Sequence, residues 1–338
     1  MGQYGGVDVL RWIDPPEGPA VALLDQTRLP QEEVTLVCRD VPRLVASIRS
    51  LAVRGAPLLG IAGGYGVALA AAQGADVAAA AHELANARPT AVNLSRAAHR
   101  VLTAHTDGRG ALAEAHAVAE EEAAASARMG EHGLTLVPEG ARILTHCNTG
   151  ALAAGGEGTA LAVVMAAHRA GRLKQLWVDE TRPLLQGARL TAYEAQRHGL
   201  PYTLLPDGAA GGLFAAGDVD LVVVGADRIA RDGSVANKVG TYPLAVLAHY
   251  HGVPFVVVAP TSTFDPSART GEDIPIEQRD AAEVSSVAGR PMAPPGSPVY
   301  NPAFDVTPGH LVTAIVTERG VDAQANKGSL GSPGLTAP

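Results

Sequence analysis

Residues 220–260 read DLVVVGADRIARDGSVANKVGTYPLAVLAHYHGVPFVVVAP and decide the fold class. The apolar run at 221–224 predicts a strand buried on both faces, which is typical of a parallel sheet. Asp227 follows this strand and is expected at the sheet edge where open α/β sheets bind ligands. A polar, turn-rich link then leads to Asn237 and Lys238, just before an apolar helical pattern. We therefore expect an acid, an amide and a cation around one strand end.

Strands alternate with helices throughout the chain after Pro138, which predicts a doubly wound, Rossmann-like parallel sheet. The apolar runs predict strands at 141–146, 173–179, 200–205, 220–227 and 253–260. Near the end, Thr307 followed by Pro308 is the pattern of a helix N-cap and first turn, so we expect a helix over 305–320.

The first part of the chain has a different pattern. Residues 20–40 predict a short pair of strands, and the Ala-rich sequence that follows, to about residue 130, predicts helices. We expect an α/β protein with a smaller, mainly helical N-terminal domain (1–135) that carries a short antiparallel β element. A Rossmann-like catalytic domain (136–323) and a flexible tail (324–338) should follow.

Composition excludes several classes of function. The 338 residues carry a formal net charge of −8 with scattered basic residues, which argues against nucleic acid or an anionic membrane as partner. Segment 61–75 is apolar but short and Gly-rich, which indicates a packed helix rather than a membrane span. No leader pattern is seen at the N-terminus, so a cytoplasmic location is expected. Two cysteines predict no disulfide framework, and no Cys/His spacing resembles a zinc site.

Cys147 is the second candidate for chemistry. It follows the strand predicted at 141–146, and a Gly-rich link after it leads into a helix whose N-terminus favours negative charge. A thiol there could lose or shuttle a proton, although a small buried core residue is an equally good interpretation of its position. Asp227 could likewise be a carboxylate that caps a turn. Cys38 lies within an apolar strand, and the core interpretation is preferred there.

Other polar residues are weaker candidates. Arg54-Gly55-Ala56 stands before a helix and offers backbone N–H groups and a guanidinium for a phosphate. Arg88 lies at a turn and could do the same, although each arginine could also be a plain surface residue. Gln186 could reach a sugar hydroxyl or be an ordinary helix residue. The Gly-rich link at 155–161 lacks the third glycine of a dinucleotide motif and has no P-loop lysine, so we reject a nicotinamide or ATP site.

Taken together, seven motifs resemble the methylthioribose-1-phosphate isomerases, a branch of the family that also holds the regulatory subunits of eukaryotic translation initiation factor 2B. The motifs are spread along nearly the whole chain: LLDQTRLP (23–30), RGAPLLGIAGGYG (54–66), ARPTAVNL (87–94), THCNTGALA (145–153), VDETRPLLQGARLTAYE (178–194), GADRIARDGSVANKVGTYPLA (225–245) and VYNPAFDVTP (299–308).

This resemblance implies roles for individual residues. The family's catalytic thiol falls on Cys147 and its catalytic acid on Asp227. Its substrate-binding positions fall on residues of the expected type, namely Arg54, Gly55, Ala56, Arg88, Gln186, Asn237 and Lys238. One departure is LSRAAHR (94–100), where such isomerases often have an aromatic residue near the thioether pocket.

The implied activity is an aldose-to-ketose isomerisation of 5-methylthioribose 1-phosphate to 5-methylthioribulose 1-phosphate in methionine salvage. The resemblance implies a small phosphorylated pentose as substrate, no metal or organic cofactor, and a homodimer. Two alternatives stay open. The first is an isomerase of another pentose phosphate, such as ribose 1,5-bisphosphate or 5-deoxyribose 1-phosphate. The second is a non-catalytic regulatory subunit, against which the presence of both Cys147 and Asp227 argues.

Overall fold

A computed structural model describes residues 9–88, 91–287 and 289–323. The tail predicted at 324–338 lies outside the described residues, as do Pro89 and Thr90 of the ARPTAVNL motif.

The N-terminal part begins with a small antiparallel sheet, as the sequence predicts. Its strands, in spatial as well as chain order, are β1 (Leu10–Ile13), β2 (Ala20–Leu24) and β3 (Thr35–Cys38). Strand β2 is buried along its whole length, and Cys38 is a buried free thiol in the core beneath the sheet. The core interpretation of Cys38 is therefore confirmed.

Helices follow this sheet. They are α1 (Val41–Arg49), α2 (Ala56–Ala72), α3 (Val77–Ala85), α4 (Val92–Thr106) and α5 (Ala111–Leu134). Helix α1 begins where the Asp40 carboxylate accepts a hydrogen bond from the Arg43 backbone N–H (2.7 Å). Helix α2 is buried from Ala56 to Ala70, and its glycines allow α4 to pack closely; a Cβ on Gly63 would lie 2.7 Å from Leu94. The expected packed helix is thus found.

No helix in the described ranges combines the length and apolar character needed to cross a lipid bilayer.

The rest of the chain alternates strands and helices. The strands are β4 (Ala141–Thr145), β5 (Leu173–Asp179), β6 (Tyr202–Leu205), β7 (Leu221–Val224), β8 (Arg228–Ile229), β9 (Val235–Lys238), β10 (Phe255–Val258), β11 (Ser286–Val287), β12 (Arg290–Pro291), β13 (Phe304–Thr307), β14 (Ala314–Thr317) and β15 (Gly320–Ala323). The helices are α6 (Ala151–Ala154), α7 (Ala160–Arg169), α8 (Ala192–Arg197), α9 (Ala210–Ala215), α10 (Thr241–His251) and α11 (Ala282–Ser285). All five strands predicted in this part are present.

Seven strands form one sheet in the order β15-β14-β10-β7-β4-β5-β6. Neighbours from β14 to β6 are parallel, and β15 is an antiparallel edge. The parallel part has the 3-2-1-4-5-6 order of a Rossmann fold, with β4 as the first strand and β7 as the fourth. The chain reverses its direction of winding between these two strands, and such a switch point opens a crevice at their carboxyl ends. Cys147 follows β4 and Asp227 follows β7.

The prediction of a helix over 305–320 is wrong. This segment forms β13, a short 3₁₀ turn and the hairpin of β14 and β15. Thr307 does not cap a helix, since its buried hydroxyl has no partner among the described residues. Asp305 instead accepts hydrogen bonds from the backbone N–H groups of Gly240 (2.7 Å) and Tyr242 (3.1 Å), at the start of α10. The β-branched residues at 312–317 favour a strand, and pairing with β10 outweighed the local helix signal.

Helix α5 links the hydrophobic clusters of the molecule. Its first half packs into the core of the N-terminal helices, and its second half packs with α7 on one face of the seven-stranded sheet. Helices α9 and α10 cover the other face. The domain boundary expected near residue 135 stays a prediction, because α5 contributes to both cores.

Glu122 is a titratable residue of α5 that contacts Ser262 in the C-terminal part of the chain. The Ser262 hydroxyl donates a hydrogen bond to its carboxylate (3.1 Å). Burial, together with the nearby charges of Glu318 and Glu121, raises the pKa of Glu122 to about 7. A raised pKa in the folded state means that the stabilising contribution of this carboxyl is full at pH values below its unfolded pKa and is lost as the pH rises through about 7.

Glu122→Gln should therefore stabilise the protein above pH 7 by roughly 1–3 kcal/mol and have little effect below about pH 4.5. Urea midpoints measured between pH 4 and 8 test this. Glu121→Gln is the matched control, because a hydrogen bond from Arg100 lowers the pKa of Glu121 and its loss should destabilise at neutral pH. An equal effect of Glu122→Gln at every pH would contradict the expectation.

Candidate active site

One pocket contains all the residues that the sequence nominated. It lies at the switch point between β4 and β7, and it also contacts the start of α2. Its lining includes Arg54, Gly55, Ala56, Arg88, Cys147, Gln186, Asp227, Asn237 and Lys238. These residues come from separate parts of the chain, so their convergence is a property of the tertiary structure.

Cys147 is held in an unusual backbone conformation at the carboxyl end of β4. Its φ is +64°, a left-handed value that is uncommon for residues other than glycine. Its backbone N–H donates to the Thr181 hydroxyl (2.9 Å), and its carbonyl accepts from the Thr191 hydroxyl (2.7 Å). The side chain is 7% exposed, at the pocket wall. Two threonines therefore fix the direction in which the thiol projects.

The loop after Cys147 is tied to both parts of the molecule. Arg54 donates hydrogen bonds to the side-chain oxygen (3.0 Å) and the backbone carbonyl (2.8 Å) of Asn148. The buried Glu194 carboxylate accepts from the Asn148 amide (2.5 Å) and from the Leu152 N–H (3.0 Å). Arg54 is thus placed against the thiol-bearing loop rather than at a free surface.

Gly55 allows α2 to begin directly against this loop. Its φ is +93°, and a Cβ at this position would lie 2.2 Å from the carbonyl oxygen of Ala153. Both the backbone conformation and the lack of space therefore require glycine. This contact brings Arg54 and Ala56 to the pocket.

Asp227 and Lys238 are two charged groups buried at the pocket. Burial raises the pKa of Asp227, and the nearby charges of Lys238, Arg88 and Arg54 oppose this effect only in part. Burial lowers the pKa of Lys238, while the charges of Cys147 and Asp227 oppose it. By accessible surface Asp227 is only half-buried, because it borders the pocket. Lys238 is therefore close enough to Asp227 and Cys147 for their charges to act on its pKa.

Asn237 and Lys238 lie on a strand and not in the turn-like link expected from the sequence. Strand β9 pairs with β13, so that Lys238 is opposite Phe304 and Asn237 is opposite Asp305. The Lys238 ammonium donates to the Ala303 carbonyl (2.8 Å) and lies 4.9 Å from the centre of the Phe304 ring. A strand holds these two side chains more rigidly than a turn would.

His146 connects the strand ends beneath the pocket. One ring nitrogen lies 2.9 Å from the Asp179 carboxylate, and the other lies 2.9 Å from the Val239 carbonyl. Burial alone would lower the pKa of His146, but the hydrogen bond and charge of Asp179 outweigh it and raise that pKa. A Cβ on Gly240 would lie 2.7 Å from the ring, so glycine is required for the backbone to pass this close to His146. His146 therefore fixes Cys147 relative to the loop that follows Lys238.

Asp207 lies close to this pair, and the three side chains have ligand atoms within 4.8 Å of one another. Hydrogen bonds account for most of this grouping, and the buried Oδ1 of Asp179 has no partner among the described residues. Both nitrogens of His146 have partners, and the Asp207 carboxylate accepts from the backbone N–H groups of Thr181 (2.7 Å) and Arg182 (2.7 Å). The cluster fits a hydrogen-bonded support for the loop.

Gln186 and Arg88 complete the nominated set. Gln186 is 5% exposed and immediately precedes a π-helical turn at Gly187–Thr191, an irregularity that is frequent at functional sites. The Arg88 guanidinium forms an ion pair with Glu277 (3.1 Å). The remaining polar residues of the lining, which the sequence analysis did not predict as site residues, are Asn148, Thr149, Thr159 and Arg279. The two threonines flank the Gly-rich link and could have been found from it; Arg279 lies in a segment without a motif.

The pocket combines four chemical capabilities. It has a thiol at a constrained strand end, a carboxyl group whose raised pKa lets it hold a proton, a buried ammonium beside both, and guanidinium groups suited to a phosphate. Such a set fits acid–base chemistry on a small phosphorylated molecule.

Most of the chain matches the model of one protein family. The model of the Initiation factor 2 subunit family matches residues 52–323. The chain belongs to this family. The match begins just before Arg54 and ends at the last described strand, so it includes every residue of the pocket lining except Leu51.

Individual relatives narrow the resemblance. The methylthioribose-1-phosphate isomerase of Pelotomaculum thermopropionicum is 52% identical over 333 residues, which cover 93% of this chain and 91% of the relative. Among solved structures, 5-methylthioribose 1-phosphate isomerase from Pyrococcus horikoshii OT3 has a TM-score of 0.85 and 42% identity, and covers 93% of this chain and 92% of its own. A structure titled translation initiation factor eIF-2B, subunit delta, from A. fulgidus has a TM-score of 0.81 and 44% identity, with 94% and 96% covered. The resemblance stated from the motifs is confirmed.

Gly55→Ala should destabilise the protein and disrupt the pocket, because the new methyl group meets the Ala153 backbone as well as an unfavourable φ. Gly74→Ala is the matched control, since Gly74 also has a positive φ (+65°) but nothing within 4 Å of its Cβ position. We expect about 1 kcal/mol for Gly74→Ala from backbone strain alone and a cost above about 3 kcal/mol for Gly55→Ala. Equal urea midpoints for the two variants would contradict the close contact.

Proposed function

We propose that this protein is a methylthioribose-1-phosphate isomerase that converts 5-methylthioribose 1-phosphate to 5-methylthioribulose 1-phosphate, a step of methionine salvage. The observation that carries the proposal is the convergence of Cys147 and Asp227 in one pocket with the phosphate-binding candidates. The names of the relatives at 52% and 42% identity support the same activity.

Asp227 is the proposed acid for ring opening. The anomeric oxygen of the substrate carries phosphate, so the sugar ring cannot relax to a free aldehyde, and the ring oxygen must be protonated as the ring opens. A carboxyl group with a raised pKa holds a proton nearer to neutral pH than an ordinary aspartate does. Lys238 and the two arginines limit this rise, so that the same group can also exist as the conjugate base after it has given up its proton.

Cys147 is proposed to act at C2. Two routes transfer the hydrogen: the thiolate removes a proton from C2 through an enol phosphate, or a hydride moves from C2 to C1 in a pocket from which water is excluded. The Lys238 ammonium beside the thiol supports the first route, because positive charge stabilises a thiolate. The burial of both groups supports the second. Incorporation of solvent deuterium into the product separates them, since only the proton route exchanges with water.

The phosphate group is assigned to Arg54, Arg88 and the backbone at the start of α2, which lies next to Gly55 and Ala56. The sugar hydroxyls are assigned to Gln186 and Asn237, whose polar side chains line the same pocket. The apolar part of the lining, from Leu51, Pro57, Leu184 and Phe304, supports a thioether at C5 rather than a second charged group.

Purified protein incubated with 5-methylthioribose 1-phosphate, ribose 1,5-bisphosphate or 5-deoxyribose 1-phosphate in parallel should isomerise the thioether sugar most efficiently, as followed by NMR. Cys147→Ala and Asp227→Asn should each lower kcat by at least about 100-fold, because each removes a proposed acid–base group while the fold is retained. Near-normal kcat in either variant would exclude that residue's role. No turnover of any of the three sugars by the wild-type protein would favour the regulatory-subunit alternative.

We further propose a homodimer, formed through α10. Tyr242, Val246 and Tyr250 recur every four residues on one face of this helix and are 43%, 41% and 78% exposed. An apolar face of this kind can pack against its own copy around a two-fold axis.

Light scattering of the wild-type protein should give the mass of two chains, and Val246→Asp should give one. Val37→Asp is the matched control: Val37 is 40% exposed but lies on β3, away from α10, and the dimer should persist. A monomeric wild-type protein would overturn the dimer, and dissociation by both variants would overturn its placement on α10.

A cytoplasmic location is proposed on chemical grounds, because both cysteines are free thiols, as is usual in reducing compartments. Recovery of the native protein from a secreted fraction of its host would contradict this.

A further inference from the structure

Arg279 lines the catalytic pocket, although no motif in its segment predicts a site residue there. Its backbone N–H donates to the Asn301 carbonyl (2.9 Å), and its guanidinium forms an ion pair with Glu283, which holds the side chain from its own segment. Arg88 borders the same pocket but comes from the N-terminal part of the chain. The pocket therefore receives arginines from both parts of the molecule, Arg54 and Arg88 from the N-terminal part and Arg279 from the C-terminal part.

A single carboxylate joins these two arginines. The Glu277 carboxylate is 3.1 Å from the Arg88 guanidinium and 2.9 Å from that of Arg279. The side chains of Arg88, Glu277 and Arg279 are 14%, 24% and 20% exposed, so water screens these ion pairs less than it would screen surface pairs. Burial works to raise the pKa of Glu277, but the two arginines outweigh it and lower that pKa. Glu277 is thus an anion at neutral pH.

The carboxylate and the guanidinium groups face different spaces. Glu277 lines an outer pocket of about 380 Å³ and is not part of the catalytic pocket lining, whereas Arg88 and Arg279 line both. Glu277 therefore contacts the two arginines from the outer side. Glu283 occupies the Nε–Nη2 edge of Arg279, and both arginines also border the catalytic pocket. The Nε of Arg88 is buried and has no hydrogen-bond partner in the part of the chain that the structure describes. A buried donor of this kind calls for an acceptor.

The carboxylates of Glu277 and Glu283 balance the charges of Arg88 and Arg279 at this wall, and Arg54 adds a positive charge to the lining of the same pocket. Planar, forked guanidinium groups match the oxygens of a phosphate better than an ammonium does. We propose that Arg88 and Arg279 form a two-arginine clamp for the phosphate monoester of the substrate, and that Glu277 is a positioning residue that aligns both arginines from outside. This inference rests on the proposed function for the identity of the sugar but not for the binding of phosphate.

The clamp has a consequence for how the site is assembled. Because Arg88 and Arg279 come from distant parts of the chain, a phosphate bound between them also fastens those parts together. This binding is the same in the ground state and the transition state, so its loss should appear in KM rather than in kcat.

The first test is steady-state kinetics with 5-methylthioribose 1-phosphate. Arg279→Ala should raise KM about 10- to 100-fold with kcat within a few-fold of wild type, since the loss is that of a charged hydrogen bond to a non-reacting group. Arg279→Lys should recover part of this loss, because the charge remains but the fork is absent. Arg269→Ala, at an arginine 79% exposed on the protein surface, is the control and should match wild type. An unchanged KM in Arg279→Ala overturns the clamp.

The second test needs no turnover and uses inorganic phosphate as the ligand. Phosphate should raise the Tm of the wild-type protein in a concentration-dependent way and should raise that of Arg279→Ala far less. Failure of the wild-type protein to isomerise the sugar, with this difference intact, would sink the proposed function and leave the clamp standing. Equal Tm shifts in the two proteins would overturn the clamp whatever the activity.

Glu277→Gln tests the positioning role, because glutamine keeps the shape but not the charge. It should raise KM several-fold in the wild-type background and have no further effect in the Arg279→Ala, Arg88→Ala double variant. A full additional loss in the double variant would show that Glu277 acts elsewhere and would remove it from the clamp.

Discussion

Asp227 and Lys238 are two opposite charges that the fold withdraws from water at one edge of the seven-stranded sheet, next to the Cys147 thiol. Burial favours the neutral form of each, and the charge of the other restores part of the ionised form. The balance leaves a carboxyl group able to hold a proton and an ammonium able to stabilise a thiolate. Either group alone would be an expensive buried charge. The rest of the architecture brings these groups together in one crevice, where we propose that a phosphorylated sugar binds.

Three structural elements bring about this arrangement. The strand order places the ends of β4 and β7 side by side, which sets Cys147 and Asp227 on the two sides of the crevice. The pairing of β9 with β13 presents Lys238 from a third direction. Gly55 lets α2 begin in backbone contact with the loop that follows Cys147. Hydrogen bonds from Thr181 and Thr191 then fix the thiol, so the geometry is set before any substrate arrives.

Periodic patterns made most of the fold predictable. Continuous apolar runs identified the buried strands, and helical spacing identified the N-terminal helices, because both depend on local sequence. The prediction of a helix at 305–320 was wrong because residues distant in the chain determine this segment. Asp305 accepts hydrogen bonds from the start of α10 instead of lying in the first turn of a helix. The sequence predicts Asn237 and Lys238 beside Asp227, and both line the same pocket, but they lie on a strand and not in a turn, because their pairing partner β13 lies about 70 residues further along the chain. Arg279 could not be predicted as a site residue from the sequence, because only the folded structure shows that it shares Glu277 with Arg88.

The central claim is that the thiol and the carboxyl group act on one bound sugar. A crystal structure of the Cys147→Ser variant with 5-methylthioribose 1-phosphate tests this most directly, because serine keeps the shape of the site while slowing turnover. The account predicts that C2 lies within about 4 Å of the residue 147 side chain and that the ring oxygen lies within hydrogen-bond distance of Asp227. A sugar bound with either atom turned away from its assigned residue, or bound outside this crevice, would contradict the account.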